Sequence, residues 1–80
     1  MMLGQHTTGH APGALSNGTR VRKTLKRIGD AHAVGAFATI VGSMNVEALG
    51  LRAKYFYFVE WDDFRGVAVG IAGDAIAPLE

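Results

Sequence analysis

The sequence predicts an all-β domain of five short strands, and three observations carry that expectation. Short runs rich in Val, Ile, Thr and aromatic residues recur between Gly-containing turns. No stretch repeats its apolar residues at the spacing of a long amphipathic helix. Residues 54–63 hold five of the seven aromatic residues and the only Trp, which marks a central strand.

Size and composition narrow the function classes. Eighty residues make one small domain, and such a domain buries only roughly 60% of its unfolded surface. Small scaffolds usually draw extra stability from disulfides, a metal or self-association. The chain has no Cys, which removes disulfides and Cys-based zinc sites and fits a reducing compartment. Self-association is therefore expected. Formal charge is +1, so the total does not imply a nucleic-acid partner. The uncharged run 31–46 contains His, Thr, Ser, Asn and Gly and is too short and polar to span a bilayer. The N-terminal residues lack a basic segment followed by an apolar one, so no export signal is expected and a cytoplasmic location is.

The elements follow in order. Residues 1–17 are mostly Gly, His, Thr, Ser, Ala and Pro, without a helical or strand period, and read as a flexible tail that can dock at Leu15. Asn17-Gly18 is a turn signal that opens the domain, residues 18–80. Residues 19–28 read as a first strand: Val21 and Leu25 share a face with Lys23 between them, and Arg20, Arg22 and Lys26 share the other. Lys23 interrupts the alternation, so a short or bulged strand is expected there. Residues 29–35 form a loop. Residues 36–41 form a second strand, apolar on both faces, with Phe37, Thr39 and Val41 on one side and Gly42 closing it. A single helical turn is expected at 45–50, with Asn45 as N-cap and Gly50 as stop. The aromatic strand puts Tyr55, Tyr57, Val59 and Trp61 on one face and Phe56, Phe58 and Glu60 on the other. Residues 62–66 turn the chain into a returning strand at 67–72, and 75–79 close the sheet along an edge, where Pro78 is tolerated.

Closing five such strands on themselves would remove most exposed edges. The expected inward set is Val21, Leu25, Ile40, Tyr57, Val59, Trp61, Val67, Val69, Ile71 and Ile76. The string Gly18-Thr19-Arg20-Val21, then Ile40-Val41-Gly42, then Tyr57-Phe58-Val59-Glu60-Trp61-Asp62-Asp63, then Gly66 and Ile76-Ala77-Pro78-Leu79 resembles small SH3-like β-barrels. It departs from their pattern at Ala38-Thr39-Ile40, where Gly-Thr-Val is common, and in carrying Phe56 and Phe58 at usually polar positions. Compact barrels of this kind occur among uncharacterised bacterial proteins, including those on mobile gene cassettes. The resemblance implies a five-stranded SH3-like barrel and says almost nothing about function.

Three groups of residues are candidates for function. Phe56 and Phe58 face away from the expected core, and with Phe37 they form an oligomer interface, since exposed aromatic patches are commonly buried between chains. Arg20, Arg22, Lys26 and Arg27 form an acid-free basic run that suits phosphate contact, or simply charges an edge strand against pairing. Tyr55, Trp61 and Phe64 suit a small-molecule cleft. Asp62-Asp63 reads as turn chemistry rather than a cation site, and Glu60 and Arg65 are placed to pair across the hairpin. His6 and His10 have metal-ligand spacing for a helix, which their Gly, Thr and Pro neighbours oppose, and Asp30-x-His32 lies in a loop. Gly70–Gly73 lacks the following helix of a phosphate-binding fingerprint. No cofactor or metal is expected. No nucleophile, base and charge stabiliser converge, so the expectation is a non-enzymatic, self-associating binding or adaptor module. The alternatives are a nucleic-acid-binding barrel and a small-molecule binder.

Overall fold

Val, Thr, Ile and aromatic runs become strands because branched and ring side chains pack well on a pleated surface. The computed structural model of the protein describes residues 9–50 and 53–79, and it is all-β. The strands are β1 (Arg20–Lys23), β2 (Phe37–Asn45), β3 (Tyr55–Trp61), β4 (Val69–Ala72) and β5 (Ile76–Pro78). They form one antiparallel sheet in the order β4-β3-β2-β1-β5. Among the described residues no pairing joins β4 to β5, so both are edges there and the sheet is not closed.

β3 has the parity its sequence predicts. Tyr57, Val59 and Trp61 are buried, while Phe56, Phe58 and Glu60 alternate with them and are only half-buried. Val21 from β1, Ala38 and Ile40 from β2 and Ile76 from β5 complete the core, with Leu15, Ala36, Tyr55, Val69 and Ile71 packed around it.

β2 is longer than expected. It passes through Gly42 instead of stopping there, and the pairing with β3 shifts between Ile40 and Gly42. A bulge of this kind sharpens the local twist, and here it keeps Ser43 facing inward opposite Tyr57 while Met44 faces outward opposite Phe56. The helical turn falls at Glu47–Leu49. Asn45 Oδ1 accepts the Glu47 N–H at 2.8 Å, and Gly50 ends the turn in the left-handed region at φ 69°.

β1 and β4 are shorter than expected, and this changes the core. β1 ends at Lys23 and β4 begins at Val69, so Leu25 and Val67 lie outside the ladders and are 42% and 43% exposed. Both leave the expected inward set. Lys23 fills the position after Val21 on the inner face and is only 2% exposed. The strand does stop there, as the interrupted alternation predicts, but Lys23 itself is buried on the inner face rather than turned out to solvent.

Of the expected tail, residues 1–8 lie outside the described residues, and 9–17 are held against the sheet. The Ser43 N–H donates to Gly9 O, and the Ala11 N–H donates to Ser43 Oγ. Tyr55 Oη donates to Pro12 O, and the Leu15 N–H donates to the Tyr57 hydroxyl, all within 3.0 Å. The buried Tyr57 ring thus keeps its polar tip satisfied by the segment that covers it.

Ile40 has no exposed surface and lies where β1, β2 and β3 meet. Ile40→Ala is expected to lower the unfolding free energy by about 2–5 kcal/mol, read from the midpoint of a urea titration at unchanged slope.

Candidate functional site

Because Lys23 occupies an inward position at the end of β1, its ammonium must find a partner inside the fold. The chain after β1 supplies it. Lys23 Nζ pairs with Asp30 Oδ2 at 2.9 Å, and the same oxygen accepts the Arg27 N–H at 2.8 Å. The ammonium also lies 5.7 Å from the centre of the Trp61 ring, within cation–π range. The Lys23 N–H donates to Ala36 O and the Gly35 N–H donates back to Lys23 O, which closes the base of the loop formed by residues 24–36.

This loop then folds over the end of β3. His32 stacks on Trp61 with ring centres 4.4 Å apart and planes 14° from parallel. Its Nε2 lies 2.8 Å from Asp63 Oδ1. Arg27 reaches Asp74 at 2.7 Å, tying the loop to the turn before β5. Between this loop and β4 runs a groove of about 520 Å³, lined among others by Lys23, Asp30, His32, Phe56, Trp61 and Phe64. Its volume lies within the common range of ligand clefts, about 300–1,000 Å³.

The structure brings two of the three expected cleft residues together. Trp61 and Phe64 share the groove, Phe64 exposed and Trp61 covered by His32. Tyr55 is elsewhere: its hydroxyl is spent on Pro12, and its ring borders two smaller depressions away from Trp61. Lys23, Asp30 and His32 are site residues that spacing alone did not reveal. The usable signal was the shared parity of Val21 and Lys23 on β1.

The basic run does not present four cations together. Arg20 grips Asp62 with both guanidinium nitrogens, at 2.6 and 2.7 Å, and donates to Thr39 Oγ1 at 2.9 Å. Arg27 is held by Asp74. Arg22 and Lys26 make no ion pair among the described residues. Asp62 and Asp63 bond to different partners, Arg20 and His32, as expected of turn residues that do not converge. Glu60 and Arg65 do not pair with each other among the described residues.

Phe56, Phe58 and Phe37 all lie on the outer face of the sheet. Phe56 and Phe58 meet edge to face with ring centres 5.6 Å apart. Phe56 lies opposite Met44 on β2 and Ala72 on β4, and Phe58 lies opposite Gly42 and Gly70. The Phe56 ring covers Gly70 so closely that a Cβ there would stand 2.6 Å from it. Phe37 is 47% exposed but stands apart from this pair, beyond the Thr39–Glu60 rung. The three do not form one continuous patch.

His10 Nε2 lies 3.0 Å from Ala14 O, and His6 falls outside the described residues. Among the described residues no cluster of three His, Cys, Asp or Glu is placed to hold a metal, and no helix is long and apolar enough to cross a membrane. No family model, curated protein or solved structure matches this chain.

Two carboxyls are held below their ordinary value of 3.8: Asp30 by the Arg27 N–H and then Lys23, and Asp62 by the Arg20 guanidinium. Each therefore contributes stability that is complete above that ordinary value and is lost as pH falls through the lowered native one. The melting temperature is expected to fall as pH drops below about 4. Asp30→Asn, which strands the Lys23 ammonium, is expected to melt well below wild type at neutral pH. Lys23→Met, which removes the buried charge while keeping its bulk, is expected to lose less than Asp30→Asn or nothing.

Proposed function

We propose that the chain is a small SH3-like barrel that acts as a non-enzymatic interaction module and self-associates through the outer face of β3. The strand order, with β1 between β2 and a short β5 ending at Pro78, supports the barrel reading. The observation that carries the self-association is the apolar patch of Phe56, Phe58 and Met44 on the outer face. Met44 is 46% exposed and the two rings are half-covered. Burying one Phe completely is worth about 1.5–3 kcal/mol, which matters to a domain of this size. The role of the groove's charged groups also supports binding over catalysis. Lys23 and Asp30 hold each other, and His32 engages Asp63.

A second reading is favoured by the groove itself. Phe64, Phe56 and the His32 ring that covers Trp61 wall it, so it is suited to a small, partly apolar molecule. Phosphate contact by the basic run has less support, because carboxylates already hold Arg20 and Arg27.

Sedimentation at micromolar concentration is expected to show a dimer or larger species for the wild type and a monomer for Phe56→Ser/Phe58→Ser, with the circular dichroism of a β-sheet kept in both. A wild-type protein that sediments as a monomer removes the proposal.

A further inference from the structure

We infer that the free edge of β4 pairs with the same edge of a second copy, antiparallel and about a two-fold axis at Gly70. The inference rests on the self-association proposed above and assigns it a contact.

A sheet edge offers unpaired N–H and C=O groups, and protein edges are usually guarded by charge, Pro, a bulge or a covering segment. Among the described residues β4 has no charge, Pro or bulge, and the loop of residues 24–36 faces it across the open groove without bonding to it. The run 66–73, Gly-Val-Ala-Val-Gly-Ile-Ala-Gly, carries no charge and no Pro. By the alternation of an antiparallel ladder, half of the β4 residues direct their N–H and C=O away from β3. No backbone or side-chain hydrogen bond among the described residues reaches residues 67–72 from the other side. The groove is lined both by Val69 and Ile71 from the inner face and by Gly70 and Ala72 from the outer face, so open space borders the edge itself. The opposite edge is different. β5 spans three residues, ends at Pro78, and is followed by the Leu79 N–H donating back to Arg20 O.

Symmetry fixes the register. Two antiparallel strands related by a two-fold axis normal to their sheet place residues of like parity opposite each other, so the inner faces of both copies stay inner. The axis must then pass through a residue, and the exposed one within β4 is Gly70. Val69 then faces the partner's Ile71 on the inner side. Ala68 faces the partner's Ala72 on the outer side, with Gly70 against Gly70 between them. These small residues floor a shallow channel flanked by Phe56 of each copy, which already lies over Gly70. Phe56 of each copy thus borders the joined edge, while Phe58 and Met44 stay on the outer face of the extended sheet.

The absence of native Cys makes the register directly testable. Directly opposed residues on antiparallel strands stand about 4.5–5.5 Å apart at Cα, within the range of about 4.4–6.8 Å that a disulfide spans. Within one chain positions 68 and 72 are ~13 Å apart on a strand, too far to bridge. Under mild oxidation Ala68→Cys/Ala72→Cys is expected to give a covalent dimer. Ala68→Cys and Ala72→Cys alone are expected to give none, and an equimolar mixture of the two single variants is expected to give a heterodimer, which needs only one substitution per chain. A protein that sediments as a dimer without these cross-links, or with cross-links equally strong in one single variant alone, overturns the edge pairing and leaves association through the aromatic face standing. A protein that stays monomeric overturns both.

Discussion

A lysine ammonium taken out of water must meet a carboxylate, and in this protein that requirement shapes the whole end of the sheet where β1 stops. Lys23 is on the inner face because β1 alternates and Val21 is inside. Its charge then draws Asp30 back over the sheet, and Asp30 in turn holds the Arg27 N–H. With the start of the loop fixed, His32 arrives on Trp61 and Arg27 at Asp74. The groove beside β4 exists because this loop stands where it does. An apolar residue at 23 would bury just as well, but it would leave residues 24–36 without their anchor.

The fold was legible where local pattern and tertiary environment agree. β3 alternates without interruption, so its two faces could be separated from its residues alone, and the turn after Trp61 and the short turn at Glu47–Leu49 carried their own signals. Three places were not legible. The end of β1 at Lys23 carried a signal, but the burial of its side chain did not, because a single charge on an apolar face is costly and its compensation lies seven residues further on. Gly42 looked like an end because glycine weakens strands, whereas it sits opposite Phe58 at a bulge. Leu25 and Val67 looked internal because the extent of a strand depends on its partners. The groove was half legible: Trp61 and Phe64 were recognisable as aromatic candidates, but stacking of His32 on Trp61 is a long-range fact that no window of the sequence contains.

The aromatic residues divide their labour by position. Trp61 and Tyr57 fill the interior and are capped by polar contacts, His32 over one and the Leu15 N–H on the other. Tyr55 fastens the N-terminal segment. Phe56 and Phe58 do neither, and the outer face is where an isolated 80-residue chain has apolar surface left to cover. Charge is distributed to match. Arg20 with Asp62 and Arg27 with Asp74 tie separate parts of the fold together, while the run through β4 is left without any.

The shielding of Lys23 also gives it a distinct chemical character among the lysines. Lys26 and Lys54 stand in solvent, whereas the Lys23 amine sits behind Asp30 and against the Trp61 ring. Acylating reagents attack the free, accessible amine, so Lys23 stays inert until residues 24–36 lift away. Its labelling therefore reports how far the loop is open, and one side chain serves both as the clasp of the fold and as a probe of its local breathing.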